Sequence, residues 1–290
     1  MKTYNCFQFY NELDILEIRL QECWDSTDYF VITESSHTHS GNSKDYVLLD
    51  NWERFKPYAD KIRRIQIDET LEEQKKVFPN DSPEWIREKY QRYALVKGIH
   101  DMKPEDLIVL SDCDEVPRGD LIEMIKHDEN DYDRYLINVA QFHFRLNYLR
   151  IKPEPKFVNI MAVRGRAFTN FMSEREFTFP WFKTPENSVY VEHGGWHWSD
   201  FGNDEHVVNK LKNFCHVDQN NQDQLNFINL DWIIANKRDR NPNDAGQRFE
   251  YVIMDNYFPK CITDNLDRWK HMIIPDAEYH VEDFYSVEEK

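Results

Sequence analysis

The sequence predicts an α/β protein: a mixed, mostly parallel sheet flanked by helices, followed by a C-terminal extension. Three observations carry that expectation. Strand-like and helix-like segments alternate through the first half of the chain, the pattern of a sheet covered by helices on both faces. The segment "DLIVLSD" (106–112) holds four consecutive apolar residues, Leu107 to Leu110, as a strand buried on both sides does. The chain is also long and apolar enough for a large core, with 290 residues, 40% of them hydrophobic and 14% aromatic.

Taken in order, "KTYNCFQF" reads as a strand. "ELDILEIRLQECW" places apolar residues at 13, 16, 20 and 23–24, a helical stripe. "DYFVITES" is a strand, "VLLDNWERFKPYA" a helix and "KIRRIQID" a strand. "SPEWIREKYQRYALVKGIH" opens a helix with Ser82 as N-cap, Pro83 at the first helical position and Glu84 in the first turn. "DLIVLSD" follows, Pro117 stops it, and Leu121, Ile122 and Ile125 begin the next helix. Past residue 130 the strands lengthen: "YLINVAQFHFRLNYLR" and "KFVNIMAVRGRAF" are expected to run antiparallel. Helices are expected over 203–215, capped by Asn203, and over roughly 222–236. The last fifty residues show no clear period. The expected organisation is one domain over 1–236 with an extension over 237–290 packed on it.

Composition narrows the function. The formal net charge is −17, which repels nucleic acid; the one basic cluster is "NKRDR" at 236–240. No apolar run nears the roughly 18 residues of a membrane span, and "MKTYNCFQFYNELD" lacks the pattern of a signal peptide. Five cysteines, an odd number without a C-x-x-C, point to reduced thiols, so a cytoplasmic, soluble protein is expected. The eight glycines fall well below the usual ~7%. They form neither a dinucleotide fingerprint nor a phosphate-binding loop. A nucleotide bound here needs another source of positive charge, and a metal ion supplies one.

Two segments carry chemistry. In "LSDCDEVPRG", Asp112 and Asp114 follow an apolar strand, where ligands of parallel sheets bind. If the backbone stays extended, both carboxylates share a face and Cys113 points inward. Two hard oxygen ligands suit Mg²⁺ or Mn²⁺, which complete their shell with water and phosphate oxygens. A solvated turn with helix-capping acids explains the same letters. So does the aspartyl-nucleophile motif of haloacid-dehalogenase-type phosphatases, with Asp112 attacking phosphorus, although that family carries the motif on its first strand. In "VEHGGWHWSDFGNDEH" (191–206), clustered glycines mark positive φ or a close approach to a ligand. Trp196 and Trp198 offer faces for a sugar ring, and His197 or His193 offers a metal ligand. A tight core turn packed with tryptophan is the alternative, and a non-catalytic glycan-binding protein also fits the aromatics and acids.

In order and spacing, "FYNELDILEIRLQE", "DYFVITESSHTHSG", "RFKPYADKI", "WIREKYQRYAL", "LIVLSDCDEVPR", "GGWHWSDFG" and "KLKNFCH" resemble glycosyltransferase family 17 over most of residues 7–216. The resemblance implies a GT-A-type fold. It also implies an inverting, metal-dependent transfer of a sugar, N-acetylglucosamine in the family, from a UDP-sugar to a glycan hydroxyl. Asp112 and Asp114 would hold Mn²⁺ or Mg²⁺ on the donor diphosphate, with His197, or else His216, completing the shell. Gln91 and Arg92 would reach the nucleotide, Glu34 the base or ribose, and Arg175 a phosphate; Arg92 also suits an i,i+4 pair with Glu88. Asp200 first and Glu205 second are the expected catalytic bases, with Glu192 behind them. The implied partners are a nucleotide sugar and a glycan acceptor.

Overall fold

In the computed structural model the chain forms two compact units. One comprises 1–139, 156–195 and 213–215; the other comprises 140–155, 196–212 and 216–290. The structure describes residues 1–152, 158–179, 181–215, 225, 228–241 and 246–284.

The first unit opens with β1 (Thr3–Gln8), α1 (Leu13–Glu22) and β2 (Tyr29–Ser35). Where one helix was expected over 47–59, two short helical turns form, α2 (Val47–Asp50) and α3 (Trp52–Phe55), followed by a 3-10 turn. Asn51 breaks the helix: its side-chain amide donates to the Val47 carbonyl at 2.7 Å, the local competition that disfavours Asn inside helices. Then come β3 (Ile62–Ile67), α4 (Leu71–Lys75), α5 (Pro83–Tyr93), β4 (Leu107–Leu110), the short β5 (Glu115–Pro117) and α6 (Gly119–Lys126). The helix α4 was not anticipated, although Thr70 and Glu73 form a capping box at its start. Ser82 starts α5 without a side-chain cap bond, leaving Pro83 as its start signal.

The stretch expected as one long strand after residue 134 is three: β6 (Arg134–Ile137), β7 (Ala140–His143) and β8 (Tyr148–Lys152). Phe144, at φ 60, turns the chain between the last two. The first unit continues with β9 (Ile160–Arg164), α7 (Phe171–Glu176) and β10 (Ser188–Val191). Its seven-stranded sheet has the order β10–β6–β9–β4–β1–β2–β3. All neighbours are parallel except β9, which runs antiparallel to both β4 and β6. Alternation along β4 fills both faces: Leu107 and Val109 pack with Leu16, Leu20 and Ile122, while Ile108 and Leu110 pack with Leu95, Ile99 and Phe171. That double burial is why "LIVL" is apolar throughout.

The second unit is a smaller sheet in which β7 lies between β8 and β11 (Gly195–Ser199); β11 runs parallel to β7, and β8 antiparallel. Helices α8 (Asp204–Asn213) and α9 (Leu230–Ala235) follow. Residues 222–224 and 226–227 of the helix expected over 222–236 lie outside the described residues. The strand β12 (Arg248–Tyr251) pairs antiparallel with β8, and the short helices α10 (Lys260–Thr263) and α11 (Leu266–Trp269) follow. Phe144, Tyr148, Val207, Leu211, Leu230, Ile233 and Phe249 form this core. The division therefore does not fall at 236/237: residues 140–155 and 196–212 share a unit with the C-terminal segment because β8 takes β12 as its neighbour. All five cysteines are free. Among the described residues, no helix is long and apolar enough to cross a membrane.

Candidate active site

The chain leaves β4 through a turn, not as an extended strand. The Glu115 amide donates to the Asp112 carbonyl at 3.1 Å, so the alternation expected for Asp112 and Asp114 does not apply, although Cys113 is buried as expected. The cause lies beneath the turn. Arg19 of α1 is fully buried and donates through Nη1 to the carbonyls of Asp112 (2.6 Å), Cys113 (3.3 Å) and Glu115 (3.0 Å). Its Nη2 donates to Ser111 Oγ (2.8 Å) and Asn5 Oδ1 (2.6 Å), and its Nε to Asn5 Oδ1 (3.2 Å). Burial pulls its pKa below the ordinary arginine value. The sequence held a sign of it: Arg19 sits four residues after Ile15 and four before Cys23, a cation on the apolar stripe of α1.

Two more guanidiniums meet the carboxylate side of the turn. Arg92 Nη2 donates to Asp112 Oδ1 at 2.9 Å, and Arg175 Nη2 to Asp112 Oδ2 at 2.9 Å. Arg92 also makes the pair with Glu88, at 2.7 Å. Arg175 Nη1 bonds Glu115 Oε2 at 3.0 Å, and that same oxygen accepts the Asp112 amide at 2.8 Å. Burial opposes the Arg175 charge, but Asp112 and Glu115 beside it raise its pKa above the ordinary value. The sheet thus brings Arg92, Asp112 and Arg175 together from α5, the β4 end and α7. Two expected nucleotide residues have other partners. Glu34 is buried, pairs with Lys44 at 3.1 Å and accepts the Leu48 amide at 3.3 Å. Gln91 donates to the carbonyls of Phe9 (3.2 Å) and Thr33 (3.0 Å), and its oxygen meets His39 Nε2 at 3.3 Å. Sequence reasoning missed His39, whose pKa burial lowers.

The glycine-tryptophan segment serves packing. A Cβ on Gly195 would lie 2.1 Å from the Val116 carbonyl oxygen, and one on Gly194 2.1 Å from Ile137 Cγ2. These glycines answer a close approach of protein, not of ligand. Trp196 and Trp198, expected as sugar platforms, are each 1% exposed. Two apart on β11, they share its inner face, stacked on each other at 5.8 Å and beside Phe142 and Tyr257. His197 points the other way and is half-buried. It lies in the second unit, His193 in the first at φ 56, and His216 is outside the described residues.

Of the expected bases, Asp200 is buried at φ 52. It accepts from Arg240 Nε at 2.5 Å and pairs with Lys210 at 3.5 Å. Burial pushes its pKa up, but Arg240 and Lys210 outweigh that and hold it well below the usual carboxylate range. Glu205 is exposed in the first turn of α8, and Glu192 accepts from Asn138 at 2.7 Å. Among the described residues, one group of three acidic or histidine ligand atoms lies within 4.8 Å, that of Asp255, His280 and Glu282.

The fold and this site define an α/β protein with a carboxylate-rich strand end clasped by arginines. The profile of glycosyltransferase family 17 matches residues 1–239, and the chain belongs to that family. It is similar to the beta-1,4-mannosyl-glycoprotein 4-beta-N-acetylglucosaminyltransferases of Rattus norvegicus and Homo sapiens, with 22% and 23% identity over 94% of this chain. The match covers 54% and 55% of those proteins, so the chain spans about half the length of the curated relatives it matches. Among solved structures, S. aureus TarS (residues 1–349) is 12% identical, covering 73% of this chain and 64% of that one with a TM-score of 0.38. The mannosyltransferase PcManGT of Pyrobaculum calidifontis, solved with GDP-Man and Mn²⁺, is 12% identical over 68% and 56%, with a TM-score of 0.36.

Proposed function

We propose that this chain is an inverting, GT-A-type transferase that moves N-acetylglucosamine from a UDP-sugar to a glycan hydroxyl, with Mn²⁺ or Mg²⁺ at Asp112 and Asp114. Family membership supports the reaction class. The observation that carries the site is the Asp112 carboxylate held between Arg92 and Arg175 at the end of β4. The donor set fits the group. Carboxylate oxygens suit a hard divalent ion, and a carboxylate offers about four acceptor sites, so two guanidinium bonds leave room for one. A bound ion neutralises charge on the departing diphosphate. Arg92 and Arg175 present planar donors suited to phosphate oxygens. As base, Glu205 fits better than Asp200, whose two cationic neighbours make it a weak proton acceptor. Glu34 and Gln91 act by shaping the strand ends rather than by touching the nucleotide.

Calorimetric titration of UDP and UDP-N-acetylglucosamine tests this reading. Binding should appear with Mn²⁺ and vanish in EDTA, and Asp114→Asn should lose it with the thermal midpoint unchanged within a few degrees. Equal affinity with and without the metal rejects the metal site.

A further inference from the structure

Arg19 is an expensive residue for a core. Burying a cation costs free energy unless it is paired and hydrogen-bonded. Among the described residues, the acceptors within hydrogen-bond reach of its guanidinium are three main-chain carbonyls, an amide oxygen and a hydroxyl, with no carboxylate among them. Its Cζ also stands 4.0 Å from the centre of the Phe7 ring, a placement that favours a cation. Packing alone would be served by leucine at this point of the α1 stripe. What the guanidinium adds is geometric. Carbonyls of residues 112, 113 and 115 converge on one nitrogen, so the turn closes around it, and Ser111 Oγ bonds the Asp112 and Glu115 carbonyls as well, at 3.2 and 2.9 Å. A positive charge also sits directly under the acidic turn.

We infer that Arg19 is the positioning residue of the donor site, fixing the 112–115 turn so that Asp112 and Asp114 are presented to the metal–diphosphate from a rigid backbone. This rests on the metal reading above. A lysine cannot replace the fork: it keeps the charge but not the planar array of donors that ties three carbonyls at once. A group that orients metal ligands typically alters metal affinity by about 10–100-fold when removed.

The test compares wild type, Arg19→Lys and Ser111→Ala by calorimetry with Mn²⁺ and UDP, well below each thermal midpoint, alongside urea denaturation. Arg19→Lys should weaken Mn²⁺-dependent UDP binding by about tenfold or more. Ser111→Ala, which keeps the guanidinium but removes one of its acceptors, should weaken it less, in the same direction. If Arg19→Lys is less stable yet binds within twofold of wild type, Arg19 serves only the fold and the assignment falls. If Arg19→Lys does not fold, Ser111→Ala decides alone, and unchanged binding overturns the assignment. Wild type that binds UDP without metal dependence removes the metal reading and this assignment together.

Discussion

Asp200 and Glu205 show how one carboxylate becomes structural while another stays at the surface. Asp200 is buried against Arg240 and Lys210. Its folded pKa lies below its unfolded value of about 3.9, so the stability it contributes is present above that value and is lost as pH falls through the acid range below it. Asn tolerates the same left-handed backbone, so Asp200→Asn isolates the charge. It should cost about 3–5 kcal/mol at pH 7, as removing one partner of a buried pair does, and should flatten the loss of stability on acidification. Urea titrations from pH 3 to 7 measure both. Glu205→Gln should leave stability near the parent value. If Glu205 is the base, transfer falls by about 10²–10⁴ while UDP affinity holds. Transfer kept within a factor of a few removes Glu205 from that role and brings Glu192 forward.

At the scale of elements, the site depends on a short helix that could not stand alone. The helix α7 has six residues, well below the length at which isolated helices persist. Asn170 caps it by accepting the Ser173 amide at 2.9 Å. Its anchor is Glu174, fully buried, which receives two bonds from Arg134 of β6 at 2.8 and 3.0 Å and two more from Thr169. The neighbouring Arg175 then reaches Asp112 and Glu115. Glu174→Gln leaves the Arg134 charge without its partner, and about 3 kcal/mol or more of stability should go. Because α7 carries Arg175, UDP affinity should fall too, at temperatures where the variant is still folded. Affinity unchanged beside a lowered midpoint would show that Arg175 keeps its place without this anchor.

At the scale of the whole molecule, the chain crosses between its units rather than completing one before starting the next. Residues 140–155 leave the first unit to form β7 and β8, and β8 takes β12 from near residue 250 as its neighbour. Ending the chain at 236 would remove β12, the core residue Phe249 and Arg240, the partner of Asp200. A 1–236 fragment should therefore lose the second unit. Limited proteolysis should cut it within 140–152 and 196–212, segments that should stay protected in the full chain. A fragment protected over both ranges would show that the second unit stands without β12.

The sequence by itself determined the alternating strands and helices of the first half, because burial on both faces leaves a continuous apolar run and amphipathic helices leave a 3.6-residue period. It determined the acidic end of β4, the Arg92–Glu88 pair and the family. Where local chemistry opposed the period, as at Asn51 and Phe144, the elements broke up. Tertiary structure alone decided the rest. A period-2 pattern states that Trp196 and Trp198 share a face, but not whether that face meets a sugar or a core; packing made it core. Likewise, which arginine of α1, α5 or α7 reaches the turn at Asp112 depends on contacts between residues tens of positions apart. Such contacts follow from the order of strands in the sheet, and no local pattern of residues encodes that order.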